Sequence, residues 1–195
     1  MKDKAKNKGF IRGYGIQGKG EREHWQTMSP VGFGVSLKAQ LATPGKWKIS
    51  LGGRGETLPS YENRITLDAE KKDQWGLPLV KVDFKYGSNE LAMMKHMTKA
   101  SEEVLSKAGF KNVGSYRTSP SPGSAVHEMG TARMGQDPKT SVLNKYNQMH
   151  DVKNVFITDG SCMTSSGCQN PSLTYMAITA RACQFALKLF YSNKL

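Results

Sequence analysis

The sequence predicts an α+β fold, with an antiparallel-sheet domain and a covering helix followed by the C-terminal strand–helix piece of an α/β domain. Three observations support this prediction. Short alternating runs of apolar and polar residues occupy positions 31–86, and a helical apolar period follows over 89–109. One apolar run and one long apolar helix then close the chain. Strands grouped before helices are typical of α+β proteins, whereas an apolar strand leading into an apolar helix is typical of α/β units.

Residues 1–30 are rich in Gly, Lys and Gln, and they show neither helical nor strand periodicity. We therefore expect an irregular lead-in segment. Residues 13–18 match the dinucleotide-binding pattern GxGxxG letter for letter. That pattern requires a buried strand before it and a helix that opens within it. The residues on both sides are too polar for either, so a dinucleotide site is not expected here.

Residues 31–124 form the predicted sheet domain. Alternation predicts strands over 31–37, 47–51, 63–67 and 79–86, with a turn at 43–45. The helix over 89–109 would cover this sheet, and Met93, Met94 and Met97 would fill its core. A Ser/Pro/Gly-rich stretch over 118–124 marks the boundary with the third part, residues 125–195.

The third part contains an apolar run over 154–158, a turn at 159–161 and a helix over 171–191. Consecutive apolar residues in a short run are typical of a buried parallel strand. A single strand–helix unit cannot form a parallel sheet alone, so its neighbouring strands are expected on sequence outside this chain.

The net charge of +12 raises the alternative of a nucleic-acid-binding module. The lysines are spread along the chain, however, and only the first eight residues form a basic run. A solvated basic surface is therefore favoured, and no nucleic-acid partner is expected.

Isolated Cys and His residues indicate no metal site. Cys162, Cys168 and Cys183 are odd in number and form no CxxC pair, so they are expected to be buried or partly buried thiols. The sequence after His127 begins like the zinc motif HExxH but has Thr131 in place of the second histidine. The remaining histidines are expected at the surface or at helix ends: His24, His96 and His150.

No apolar stretch is long enough for a membrane span, and no apolar segment follows the first lysines as in a signal peptide. A soluble protein of the cytoplasm or periplasm is expected.

Three short motifs in the third part occur in a fixed order. Residues 127–135 read His-Glu-Met-Gly-Thr-Ala-Arg-Met-Gly, 156–161 read Phe-Ile-Thr-Asp-Gly-Ser, and 169–174 read Gln-Asn-Pro-Ser-Leu-Thr. This set resembles the C-terminal region of the glucose-methanol-choline (GMC) family of FAD-dependent oxidoreductases, nearest its pyranose oxidase and gluconate dehydrogenase branch. The likeness runs over 125–186 and extends more loosely back through 62–78.

The resemblance implies FAD-dependent oxidation of a CH–OH group, on a sugar or polyol, by hydride transfer to the flavin. His127 would be the catalytic base, which suits a side chain that titrates near neutrality. Asn170 would be its catalytic partner, because a carboxamide can donate to the same substrate oxygen. The resemblance also implies a set of FAD-binding residues: Asp159, Gly160, Asn170, Pro171, Ser172 and Leu173.

Asn170 and a further motif residue, Arg133, have structural alternatives. Asn is a favoured helix N-cap and Pro a favoured first helical residue, so Asn170 is expected to act both in the site and as a cap. Arg133 would contact substrate or form a structural ion pair, and the ion pair is favoured.

The family's N-terminal FAD-binding segment is not in this sequence. We expect it in the same protein or in a partner chain. The alternative is a non-catalytic accessory or truncated chain that needs a separate FAD-binding partner.

Overall fold

A computed structural model of the chain describes residues 9–24, 30–115, 125 and 127–195. The predicted boundary at 118–124 lies outside the described residues. The α+β fold class is confirmed. The described elements, in chain order, are β1 (Tyr14–Arg22), α1 (Val35–Ala42), β2 (Trp47–Gly55), β3 (Arg64–Lys72), β4 (Pro78–Asp83), α2 (Ser88–Lys107), a 3₁₀ turn (Gly160–Cys162) and α3 (Ser172–Tyr191).

The four described strands form two antiparallel pairs. β1 pairs with β2 in a register that runs from Tyr14 opposite Gly55 to Arg22 opposite Trp47. β3 pairs with β4, and a register shift interrupts this pair near the turn. The predicted antiparallel pairing is confirmed, but within the described residues the pairs are separate two-stranded sheets.

Helix α2 covers the β1–β2 pair, as predicted, and two methionines make the contact. Met93 is 2% exposed, and its sulfur lies where a side chain on Gly55 would be. The sulfur of Met97 would lie 2.7 Å from a Cβ on Gly53. Because these two residues of β2 are glycines, they leave room for the long, flexible methionine side chains of α2.

The prediction of an irregular segment over residues 1–30 is wrong for Tyr14–Arg22, which is strand β1. Three glycines among its nine residues, at positions 15, 18 and 20, removed the apolar alternation by which a strand is recognised. The strand forms because β2, distant in sequence, supplies its hydrogen bonds. The GxGxxG match at 13–18 lies mostly in this strand, and no helix opens within it.

The predicted strand over residues 31–37 is also wrong, because a loop there leads into α1, which begins at Val35. Gly32 and Gly34 have φ values of 115° and 67°, a backbone region that strands do not use. Val31 and Phe33 remain exposed on this loop.

The C-terminal part consists mainly of loops, which pack together with α3 around a small core. The core contains Ala132, Leu143 and Cys162, with Ile157 and Ile178 packed against them. The predicted helix over 171–191 is confirmed as α3. The predicted parallel strand over 154–158 is wrong for the described chain: Phe156 makes an isolated antiparallel bridge with Gln148.

The isolated Cys and His residues follow their predictions only in part. Cys162 is buried and Cys168 half-buried, as expected, whereas Cys183 is exposed. The expected surface or capping role is wrong for His96, which is half-buried with its Nδ1 2.6 Å from the Tyr14 hydroxyl. It is wrong for His150 as well, whose Nε2 lies 3.1 Å from the Ser141 hydroxyl. A single histidine in a sequence carries no information about such distant partners.

Among the described residues, no helix has the length and apolar character needed to cross a membrane.

Candidate functional site

The loop that begins at His127 is hydrogen-bonded to the 3₁₀ turn at Gly160–Cys162. The Ala132 amide donates to the Ser161 carbonyl at 3.0 Å, and the Met134 amide donates to the Cys162 carbonyl at 2.9 Å. The structure thus joins two motifs that lie almost 30 positions apart in the sequence.

Gly160 is the point at which this loop meets α3. A Cβ added to Gly160 would lie 2.6 Å from the Tyr175 hydroxyl and 3.0 Å from the Glu128 carbonyl oxygen. Gly160 is itself buried, so protein atoms make the close approach that its missing side chain allows. The start of α3 is therefore held beside Glu128, the neighbour of His127.

Tyr175 is a site residue that no sequence motif indicates. Its hydroxyl lies 3.9 Å from the sulfur of Met129 and is half-buried between the loop and the turn. Burial raises the pKa of Tyr175, and the negative charge of Asp159 raises it further. The hydroxyl consequently stays protonated at neutral pH. Its position one turn into an apolar helix resembles that of an ordinary packing residue, which is why sequence alone does not single it out.

Asp159 caps the 3₁₀ turn. Its Oδ1 accepts a hydrogen bond from the Ser161 amide at 2.9 Å and another from the Ser161 hydroxyl. Asp159 is nonetheless an exposed residue. It can accept a further hydrogen bond from a bound molecule while it holds the turn.

Asn170 precedes α3 without capping it, so the expected cap role is wrong. Pro171 occupies the N-cap position, with φ −90° and ψ 7°, and no side chain caps the helix. Because Pro171 takes that position, Asn170 lies one residue too early to reach the first-turn amides. Its carboxamide is exposed and has no hydrogen bond to any described residue.

The first turn of α3 is open to ligands. Ser172 and Leu173 are exposed, the latter by 79%, and the turn contains no acidic side chain. Pro171 is buried, and its carbonyl accepts the Tyr175 amide at 3.0 Å. The unpaired amides and the positive end of the helix dipole therefore face outward.

His127 is half-buried at the start of its loop. Within the described residues, no hydrogen bond joins its ring to Asn170; the backbone contacts at Gly160 bring their segments together. Arg133 is exposed and makes no ion pair with the residues that the structure describes, so the expected structural ion pair is not formed there.

A partly buried polar contact fixes α3 to the segment that leads into Asp159. Arg181 donates to the Asn147 side-chain oxygen at 3.0 Å, and the Asn147 amide group donates to the Ile157 carbonyl at 2.9 Å. Asn147 is fully buried with φ 64°, a conformation that Asn tolerates better than most residues. Neither residue stands out in the sequence.

In the described part of the chain, no group of three His, Cys, Asp or Glu side chains is arranged to hold a metal ion.

Comparison with known families identifies the family to which these motifs belong. The family model described as GMC oxidoreductase matches residues 59–179, more than half of the chain. The chain belongs to the GMC oxidoreductase family. The matched range of this GMC chain contains the three motifs and both candidate catalytic residues, His127 and Asn170.

Several GMC relatives are similar to the chain over part of their length. It is 36% identical over 137 residues to 2-methyl-1,2-propanediol dehydrogenase of Mycolicibacterium austroafricanum, covering 70% of this chain and 24% of that protein. It is 30% identical to the gluconate 2-dehydrogenase flavoprotein of Pantoea cypripedii, covering 75% of this chain and 25% of the relative. It is 29% identical to pyranose 2-oxidase of Tricholoma matsutake, over 63% and 23%. The chain therefore spans about a quarter of the length of these relatives.

Proposed function

We propose that this chain is the substrate-binding and catalytic part of an FAD-dependent oxidoreductase that oxidises CH–OH groups of sugars or polyols. The observation that supports this most directly is the junction at Gly160, where the His127 loop meets the start of α3. The relatives are named as dehydrogenases and oxidases of a diol, gluconate and pyranose, which supports the substrate class.

The residues at the start of α3 fit the flavin. An anionic or electron-rich group is favoured at a helix N-terminus, and this one has no acidic side chain in its first turn. Residues 170–173 would hold the flavin there, and the exposed carboxylate of Asp159 would accept a hydrogen bond from one of its hydroxyl groups. Gly160, buried against Tyr175 and Glu128, would hold the turn that carries Asp159 in place. FAD supplies the hydride acceptor.

His127 and Asn170 would act on the substrate hydroxyl. The imidazole of His127 takes the hydroxyl proton as general base. The carboxamide of Asn170 donates a hydrogen bond to the same oxygen and orients it. Tyr175 and the Glu128 backbone hold the two segments in place through their contacts at Gly160.

We assign the FAD-binding domain to sequence in the same protein or a partner chain. Support comes from α3, whose outer face is apolar and exposed along its whole length. The large side chains on this face are Leu173, Met176, Leu187, Phe190 and Tyr191. Exposed apolar surface of this extent marks an interaction site.

The test is stopped-flow reduction of the bound flavin by gluconate, a pyranose sugar and 2-methyl-1,2-propanediol in the complete flavoprotein. His127→Ala should retain flavin and slow its reduction by about 10²–10⁴-fold, the usual contribution of a general base. His24→Ala, at an exposed histidine outside the site, is the matched control. Equal rates in the two variants would remove His127 from the mechanism, and a wild-type flavin that none of these alcohols reduces would favour an accessory role.

A further inference from the structure

The β1–β2 pair has a second covered face, opposite α2. Tyr14 and Gly55 face α2, as their contacts with His96 and Met93 show. Successive residues of a strand point to opposite sides, so Gly15 faces away from α2. On that side it contacts the loop over residues 163–171, which connects the 3₁₀ turn to α3.

The contact at Gly15 leaves no room for a side chain. A Cβ added there would lie 2.7 Å from the Cys168 sulfur and 3.1 Å from the Cys168 Cβ. Favourable contacts between such atoms require about 3.5–4.0 Å, so any side chain at position 15 must displace Cys168 by roughly 1 Å. The φ of Gly15 is not positive, so space rather than backbone conformation accounts for a glycine here.

Cys168 is two residues before Asn170 and within the same loop. A displaced Cys168 therefore moves the segment that carries the Asn170 carboxamide. That carboxamide has no hydrogen bond to a described residue and Asn170 does not cap α3, so its position depends on the loop and on Pro171.

We propose that Gly15 is a positioning residue for Asn170. Because Gly15 has no side chain, the 163–171 loop packs directly against β1, and this packing places the Asn170 carboxamide at the substrate. The proposal rests on the proposed function of Asn170. It couples the sheet domain to the catalytic loop through the contact between Gly15 and Cys168. A misplacement of about 1 Å can cost up to 10²-fold in rate, so a single methyl group at position 15 should be measurable.

The experiment compares four forms of the complete flavoprotein: wild type, Gly15→Ala, Gly20→Ala and the double variant Gly15→Ala/Cys168→Ala. Gly20 is the matched control, because it lies in the same strand and a Cβ there would make an ordinary 3.5 Å contact with Ile49. Flavin reduction by the same three alcohols reports on Asn170. The iodoacetamide labelling rate of the half-buried Cys168, taken as a ratio to its rate in the wild type, reports on the loop by itself.

Gly15→Ala should keep its flavin, reduce it about 10-fold or more slowly than Gly20→Ala and label faster at Cys168. The double variant should recover most of the rate, since removing the sulfur removes the closest contact. Equal rates and labelling in Gly15→Ala and Gly20→Ala would overturn the proposal. A slow Gly15→Ala variant whose rate is not restored by the second substitution would also overturn the proposal. The same holds for a Gly15→Ala variant that does not fold and that the second substitution does not restore. If no alcohol reduces the wild-type flavin, the proposed function fails, and the Cys168 labelling ratio still decides whether Gly15 seats the loop.

Discussion

Asn170 and Asp159 are polar residues that each precede a helical segment, yet their side chains make different contacts in the structure. Asp159 bonds to the amide and hydroxyl of Ser161 and caps its turn. Asn170 does not cap α3, because Pro171 occupies the N-cap position of that helix. Its exposed carboxamide is thus available to a substrate, which is the property that the proposed role requires.

Substitution separates these two tasks. Asn170→Ala should lower turnover while leaving the thermal unfolding midpoint of the complete protein unchanged, since no capping bond is lost. Asp159→Ala should lower the midpoint, because losing a cap costs about 0.5–2 kcal/mol. Flavin reduction kinetics and differential scanning calorimetry on both variants provide the comparison. A lower midpoint in Asn170→Ala would restore the cap interpretation that the geometry contradicts.

At the level of elements, the Glu90 side chain holds the N-terminus of α2 and also binds a neighbouring loop. The Glu90 carboxylate accepts from the Gly87 amide at 2.8 Å and from the Leu58 amide at 3.0 Å. Burial raises the pKa of Glu90, but the hydrogen bonds from Leu58, Asn89 and Gly87 outweigh it and lower the pKa overall. One buried charge therefore anchors both the helix and the segment after β2.

This lowered pKa predicts how stability depends on pH. The contribution of Glu90 is fully present above the pKa of a glutamate in the unfolded chain, and it is lost as the pH falls through the lower folded value. Glu90→Gln should be less stable than wild type at neutral pH, by about 0.5–1.5 kcal/mol, and the difference should shrink in acid. Thermal midpoints measured across this pH range test the prediction.

The control is Glu103→Gln, which removes an exposed ion pair with Lys107 on the same helix. The Glu103 effect should disappear in roughly 1 M salt because exposed pairs are screened, whereas the Glu90 effect should remain. A pH-independent difference between wild type and Glu90→Gln would contradict the assignment.

The elements that sequence predicts correctly are those whose pattern is local. Helices α2 and α3 have apolar residues at helical spacing, and the motifs at His127 and Asn170 are contiguous. Strand β1 could not be predicted, because its glycines hide the alternation and its pairing depends on distant β2. The junction at Gly160 depends on Tyr175 and Glu128, which come from different parts of the chain. The contact between Gly15 and Cys168 likewise joins residues that are distant in the sequence. Such contacts leave no signal in a single sequence.

At the scale of the whole molecule, much of the apolar surface is not buried within the described chain. The side chains of Phe33 and Leu173 are 92% and 79% exposed. Helix α3 shows the pattern most clearly, because it is apolar on two faces. Ile178 and Ala182 face the core, while Met176 and Leu187 lie exposed on the other side. A helix with apolar side chains on two opposite faces is typical of a position between two layers of protein.

If the FAD-binding domain packs against the outer face of α3, a charge placed there must disrupt the complete flavoprotein. Leu187→Glu should reduce the flavin content of the purified protein, because an unpaired charge buried in an interface costs several kcal/mol. Lys188→Glu, at the adjacent exposed and already charged position, should retain flavin.

In the chain expressed alone, Leu187→Glu should instead improve solubility, since it replaces an exposed apolar side chain. Opposite effects in the two contexts distinguish a covered interface from a local folding defect. Equal flavin content in the two variants would place the FAD-binding domain elsewhere on the chain.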